Sequence, residues 1–287
     1  MCPERQYQIV HVRSNHLTIS QVDFFITIRY TIPIHRKQFE REKGDYMKLI
    51  FIRHGDPNYA DDCLTEKGRR EAAALAKRVK TWDITHIYCS PLGRAKETAQ
   101  FCLDELNRHD ETTYEWLKEF YDPIIHPHLG KKRAPWDFMP SYWTAEPKFY
   151  DKNHWFEAPV LKEAEFDIKA YYDEVCNGLD GILAEYGYVR KDGYYEVTRH
   201  PEKEETLVFF CHLGVSYVCM SHLLGISPSV MWQSFFTAPT SVTVLGSEER
   251  IEGEAGFRCQ VLGCTRHLSD AGEPISSSGY FTDAFQL

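Results

Sequence analysis

Four short segments of this 287-residue chain carry residues able to do chemistry together. The tripeptide Arg53-His54-Gly55 closes the apolar run Met47–Ile52, and His212 closes a second apolar run, Leu207–Cys211. Ser90-Pro91-Leu92-Gly93-Arg94 follows the short run His86–Cys89, and Glu119 stands in Leu117-Lys118-Glu119-Phe120 between the two halves. A neutral imidazole can attack phosphorus and hold the transferred group covalently. Planar guanidinium forks can grip phosphoryl oxygens in pairs, which lysine cannot do. A carboxylic acid can protonate a departing alkoxide, a service worth roughly 10²–10⁴ in rate. The reaction that needs all three is phosphoryl transfer, where catalysis is mostly positioning and charge stabilisation.

These residues need elements that bring them to one edge. Met47–Ile52 reads as a buried strand, and open α/β sheets place ligands beyond the carboxyl ends of their strands. Ser90 before Pro91 marks a helix start, with Arg94 in the first turn facing the same edge as His54. The pattern predicts strands over 47–53, 86–89, 206–212, 240–245 and 256–262. Helices are predicted over 65–80, 92–106, 162–186, 215–224 and 228–235. This alternation implies an α/β fold: a three-layer sandwich with a mostly parallel central sheet and helices on both faces. Residues 121–160 form an irregular insertion rich in proline, with Trp136, Trp143 and Trp155. Long stretches of this kind are commonly functional, and the aromatic density argues against disorder.

In order and type, these motifs resemble the histidine phosphatase superfamily, the phosphoglycerate mutase-like proteins, from Met47 to about Leu245. The resemblance implies that His54 is the nucleophile, Glu119 the proton donor, and His212 a second histidine on the phosphoryl oxygens. Arg53 and Arg94 become the phosphate ligands, and no metal or cofactor is involved. Glu115 and Asp122 are close to Glu119, and Asp122 or a later carboxylate is the alternative acid. Two departures from the common pattern, Asp56 after Gly55 and Leu213 after His212, are expected at the pocket mouth as substrate-binding positions. The expected activity is hydrolysis of a phosphate monoester through a phosphohistidine on His54. A phosphoglycerate mutase-type phosphotransferase is the alternative, and a non-catalytic module that binds a phospho-ligand is the reading from another class.

One segment competes with this reading. Cys63 and Arg69 have the spacing of cysteine-dependent phosphatases, whose loop cradles phosphate at a helix N-terminus. No apolar strand leads into Cys63, however, and Asp61, Asp62 and Glu66 oppose both a thiolate and an anion. The segment reads instead as a helix start capped by Thr65.

Composition bounds the rest. A net charge of −9 disfavours nucleic acid or an acidic membrane surface as partner, and the resemblance implies a small phosphorylated substrate. Nine cysteines without a Cys-x-x-Cys pair fit reduced thiols in a cytoplasmic enzyme. His126 and His128 read as ordinary loop histidines, and Lys131-Lys132-Arg133 as a solvated basic turn. Residues 47–287 are expected to form the phosphatase domain. Residues 1–46 form an N-terminal extension, in which Arg29 interrupts the stretch Val22–Ile34 and so argues against a signal peptide. The string Glu42–Tyr46 before Met47 suits a purine-rich coding stretch, so Met47 is expected as the start and 1–46 as translated leader. The alternative is a genuine extension that packs on the sheet or mediates assembly.

Overall fold

The computed structural model describes residues 46–121 and 123–286. The expectations for residues 1–45 and for Asp122 lie outside the described residues. Eight strands form one sheet in the order Thr112–Thr113, His86–Cys89, Glu205–Cys211, Met47–Arg53, Val242–Ile251, Glu254–Cys264, Tyr194–Val197, Tyr188–Lys191. The first four run parallel and hold the site; from Val242 onward each addition is antiparallel.

The continuous apolar runs follow from burial on both faces. Met47, Leu49 and Phe51 face one side with Leu207 and Phe209, while Ile50 and Ile52 face the other with Val208 and Phe210. Helices Glu66–Val79 and Gly93–Leu106 cover the second face through Leu75, Val79, Ala99 and Leu103. Helices Ile168–Glu185 and Leu213–Leu224 cover the first through Val175, Leu179, Val215 and Val218. Each large apolar side chain, fully buried, stabilises the fold by about 1.5–3 kcal/mol. Any registry slip would expose a whole row of them, so the register is strongly determined.

Several boundaries moved for local reasons. The helix expected over 162–186 begins at Ile168, because Asp167 caps it by accepting from the Ala170 N–H at 3.0 Å. Residues Pro159–Lys162 form a separate short helix. The hairpin Tyr188–Lys191/Tyr194–Val197 was not predicted. Its signal was present in Asp192-Gly193, with Asp192 at φ +52°, since tight hairpins need positive φ there. The insertion is folded: it forms short helices at Pro140–Trp143 and Pro147–Tyr150, and Phe149 of the second stacks on buried Phe138 at 5.3 Å. Trp155 meets Trp232 edge-on at 5.5 Å, fastening the insertion to helix Pro228–Ser234.

Two glycines set how closely the loop after His54 approaches the first helix. A Cβ on Gly55 would lie 2.8 Å from the Gly68 carbonyl oxygen, and one on Gly68 would collide with the Asp56 carbonyl. Backbone against backbone leaves no flexible group to yield.

Candidate active site

Strand register brings the two histidines together. Arg53 pairs with Cys211, so His54 and His212, each one residue further on, emerge side by side with ring centroids 5.1 Å apart. Phe210 pairs with Cys89, which sets Ser90 beside His212 at 2.7 Å. Three parallel strands thus end at one level and deliver the chemistry.

Hydrogen bonds assign the tautomers. His54 Nδ1 lies 2.7 Å from the Gly55 carbonyl, which can only accept, so Nδ1 carries the hydrogen and Nε2 keeps its lone pair. Ser90 Oγ accepts the Leu92 N–H at 3.2 Å, which directs its own hydrogen to His212 Nε2; we assign the remaining hydrogen of His212 to Nδ1. Burial holds the His54 imidazole well below its usual range, and the charges of Arg53 and Arg94 push the same way. His212 is lowered by burial, then by His54 and the two arginines. Both rings are therefore neutral near pH 7, one presenting a nucleophilic lone pair and the other an N–H donor.

The arginines are held from behind. Arg53 donates from Nη1 to the Thr237 carbonyl at 2.8 Å and from Nη2 to the Ser278 carbonyl at 3.0 Å. Arg94 binds Asp62 at 2.5 Å, and the same carboxylate accepts the Gly93 N–H at the start of the helix. The buried Nε of each arginine and Nδ1 of His212 have no hydrogen-bond partner. Buried donors left unmatched cost about 1–3 kcal/mol each, so three in one cluster describe a place for an anion.

Glu119 joins this cluster from the segment that follows the single turn Glu115–Leu117. Its Oε1 accepts from the Phe120 N–H at 2.9 Å and the Val215 N–H at 3.2 Å, and the Tyr171 hydroxyl braces its carbonyl. Burial raises its pKa above the carboxylate norm, against the opposing charges of Arg94 and Arg53 and the two backbone donors. A Cβ on Gly214 would lie 2.6 Å from both this Oε1 and the Trp136 ring, so glycine is what lets acid and indole both approach there.

Of the expected residues, Arg53, His54, Arg94, Glu119 and His212 thus converge. The two positions expected at the mouth do not present themselves there. Both carboxylate oxygens of Asp56 are engaged by the hydroxyls of Thr65 and Ser276, and Leu213 is buried in the core. Asp56 instead ties the loop after His54 to the helix cap and to the C-terminal segment. Cys63 pairs with Asn58 in a two-residue ladder, Thr65 caps the helix through the Gly68 N–H, and Arg69 is taken by Glu66 and Glu97. No phosphate cradle forms around Cys63. His126 stacks on Phe138 and hydrogen-bonds the Trp136 carbonyl, while Lys132 pairs with Glu165 on the surface.

Sequence reading missed Asp62, Ser90, Thr237 and the segment at 276–280. Only Ser90 had a signal, as a helix-start residue; the others reach the site through loops whose course follows from packing. Asp62→Ala removes both a helix cap and the hold on Arg94. It is expected to raise KM about tenfold while lowering stability by roughly 1 kcal/mol, measured by steady-state kinetics and thermal unfolding.

The fold and this cluster together define an α/β protein with paired histidines and arginines at the carboxyl ends of parallel strands. Residues 49–121 match the model of the histidine phosphatase superfamily, branch 1, a span that includes Arg53, His54, Arg94 and Glu119. Phosphoserine phosphatase 1 of Hydrogenobacter thermophilus is 27% identical over 213 residues, covering 71% of this chain and 88% of that protein. Phosphoglycerate mutase-like protein 4 of Arabidopsis thaliana is 30% identical over 96 residues, 30% of this chain and 42% of that protein, so the match spans less than half of that relative. A solved structure, mycobacterial hydrolase 1, aligns with TM-score 0.52 at 18% identity over 76% of this chain and 99% of that one. Over residues 49–121 the chain is thus similar to the histidine phosphatase superfamily.

Proposed function

We propose that this chain is a phosphomonoesterase that works through a phosphohistidine on His54, without a metal ion. The observation that carries the reading is the set of unmatched donors, Arg53 Nε, Arg94 Nε and His212 Nδ1, in one cluster with the neutral His54 ring. In the first step the Nε2–P bond forms as the ester P–O bond breaks, and Glu119 gives its proton to the leaving oxygen. In the second, ionised Glu119 takes a proton from water, the water oxygen bonds phosphorus, the N–P bond breaks, and phosphate leaves. The two guanidinium groups supply the positive charge throughout.

Hydrolysis rather than transfer to a second substrate is supported by the long match to a phosphoserine phosphatase, against a short one to a mutase-like protein. A small phosphorylated substrate fits both. A cytoplasmic setting is supported by the free state of the eight described cysteines. Among the described residues, no helix is long and apolar enough to cross a membrane.

The test is inorganic phosphate release from a panel of sugar phosphates, phosphoamino acids and nucleotides, with and without EDTA. Turnover that EDTA leaves intact is expected. Strict need for added Mg²⁺ or Zn²⁺ would sink the metal-free scheme. Transfer of label to an acceptor alcohol with no phosphate release would favour the mutase alternative.

A further inference from the structure

Arg53 and Arg94 each have an aromatic ring set against them, Trp136 shares the surroundings of Gly214 with Glu119, and the rings come from separate parts of the chain. Tyr59 lies 5.5 Å from the Arg94 guanidinium and is 62% exposed. Phe236 lies 5.7 Å from the Arg53 guanidinium, and Tyr280 stacks on Phe236 at 4.4 Å with 45% of its own surface open. Trp136 and Glu119 both border the Cα of Gly214, and Tyr121, half exposed, stands edge-on to Trp136 at 6.4 Å. Resting on the phosphatase reading, we infer that these rings form a collar selecting phosphate monoesters whose leaving group carries a planar or apolar ring within a few bonds of phosphorus.

The rings are placed in advance. Tyr59 belongs to a turn in which Asn58 binds both Asp61 and the Ala60 N–H, while Asp62 anchors the turn to the Gly93 N–H. Tyr280 donates its N–H to the Ser277 carbonyl at 2.8 Å, and the Ser278 N–H binds Ser276 Oγ at 3.1 Å. Ser276 is bound in turn to Asp56, beside the nucleophile. The backbone that carries Tyr59 and Tyr280 is therefore fixed before a flat group enters, which lowers the cost of stacking on these rings. A guanidinium backed by a ring keeps its charge while presenting a low-dielectric wall, so an apolar leaving group is desolvated at little cost.

The experiment compares 2-phenylethyl phosphate with n-propyl phosphate, two esters with alkoxide leaving groups of similar basicity, so that binding rather than chemistry separates them. The expected result is kcat/KM about tenfold or more higher for the phenylethyl ester. Tyr59→Ala and Tyr280→Ala are each expected to cut that ratio by roughly threefold to tenfold, mostly through KM. Trp136→Ala should do the same, and the two exposed positions keep the test valid if that variant folds poorly. Equal kcat/KM for the two esters, or a ratio that none of the three variants moves, would overturn the collar while leaving the phosphatase reading intact. Release of phosphate from neither ester, nor from any member of the wider panel, would overturn both.

Discussion

His54→Ala is expected to lower turnover of a phosphate monoester by roughly 10⁴-fold or more, whereas Cys63→Ser should retain near-full activity. The reason is geometric. His54 donates its Nδ1 hydrogen to the Gly55 carbonyl, which fixes the ring and turns the lone pair of Nε2 to the reaction. Its neutral form persists to unusually low pH because burial and two neighbouring guanidinium groups oppose protonation. No other described residue combines these features in the cluster. Brief incubation with ³²P-labelled substrate should leave acid-labile, hydroxylamine-sensitive label on the wild-type chain, absent from His54→Ala. Label retained on the variant, or activity lost only in Cys63→Ser, would show that the nucleophile lies elsewhere.

Glu119→Gln should slow alkyl phosphates by about 10²–10³ and para-nitrophenyl phosphate far less. An alkoxide needs a proton as it departs, while nitrophenolate leaves unaided, so the ratio isolates the acid from any effect on shape. The pH dependence has a definite sign. Burial lifts Glu119 above the ordinary carboxylate range, so its proton is retained to higher pH and is lost as pH rises through that raised value. His54, lowered, loses competence only as pH falls through its own depressed value. For alkyl esters, kcat/KM should fall on the alkaline side as Glu119 ionises and on the acid side as His54 protonates. Glu119→Gln should abolish the alkaline limb that belongs to the acid. Equal losses on both substrates would reduce Glu119 to a packing role around Gly214.

The clustered candidate residues were legible because they sit at strand ends. A buried parallel strand must be apolar on both faces, so the first polar residues after Met47–Ile52 and Leu207–Cys211 stand out, and they are Arg53, His54 and His212. Arg94 was marked by the helix start that precedes it. Thr65 was legible as a cap, and its bond to the Gly68 N–H at 3.0 Å accounts for why the Cys63 segment becomes a helix entry rather than a phosphate loop.

What the tertiary structure decided is how these residues are held and what surrounds them. That His54 and His212 are neighbours depends on a ladder pairing Arg53 with the distant Cys211, a register which no local pattern specifies. Asp56 was expected at the mouth because it departs from the family pattern after Gly55; it faces Thr65 and Ser276 because the Gly55–Gly68 approach turns the loop toward the helix. The hold of Asp62 on Arg94, of Ser278 on Arg53, and of Trp136 over Gly214 all come from loops and a tail. Loop side chains carry no periodic signal, because their conformations follow from the surfaces they cross rather than from repeating burial. The clustered histidines and arginines are thus written along the chain by the demands of a two-faced sheet, while their orientation, their charge state and the rings around them exist only once distant segments have packed.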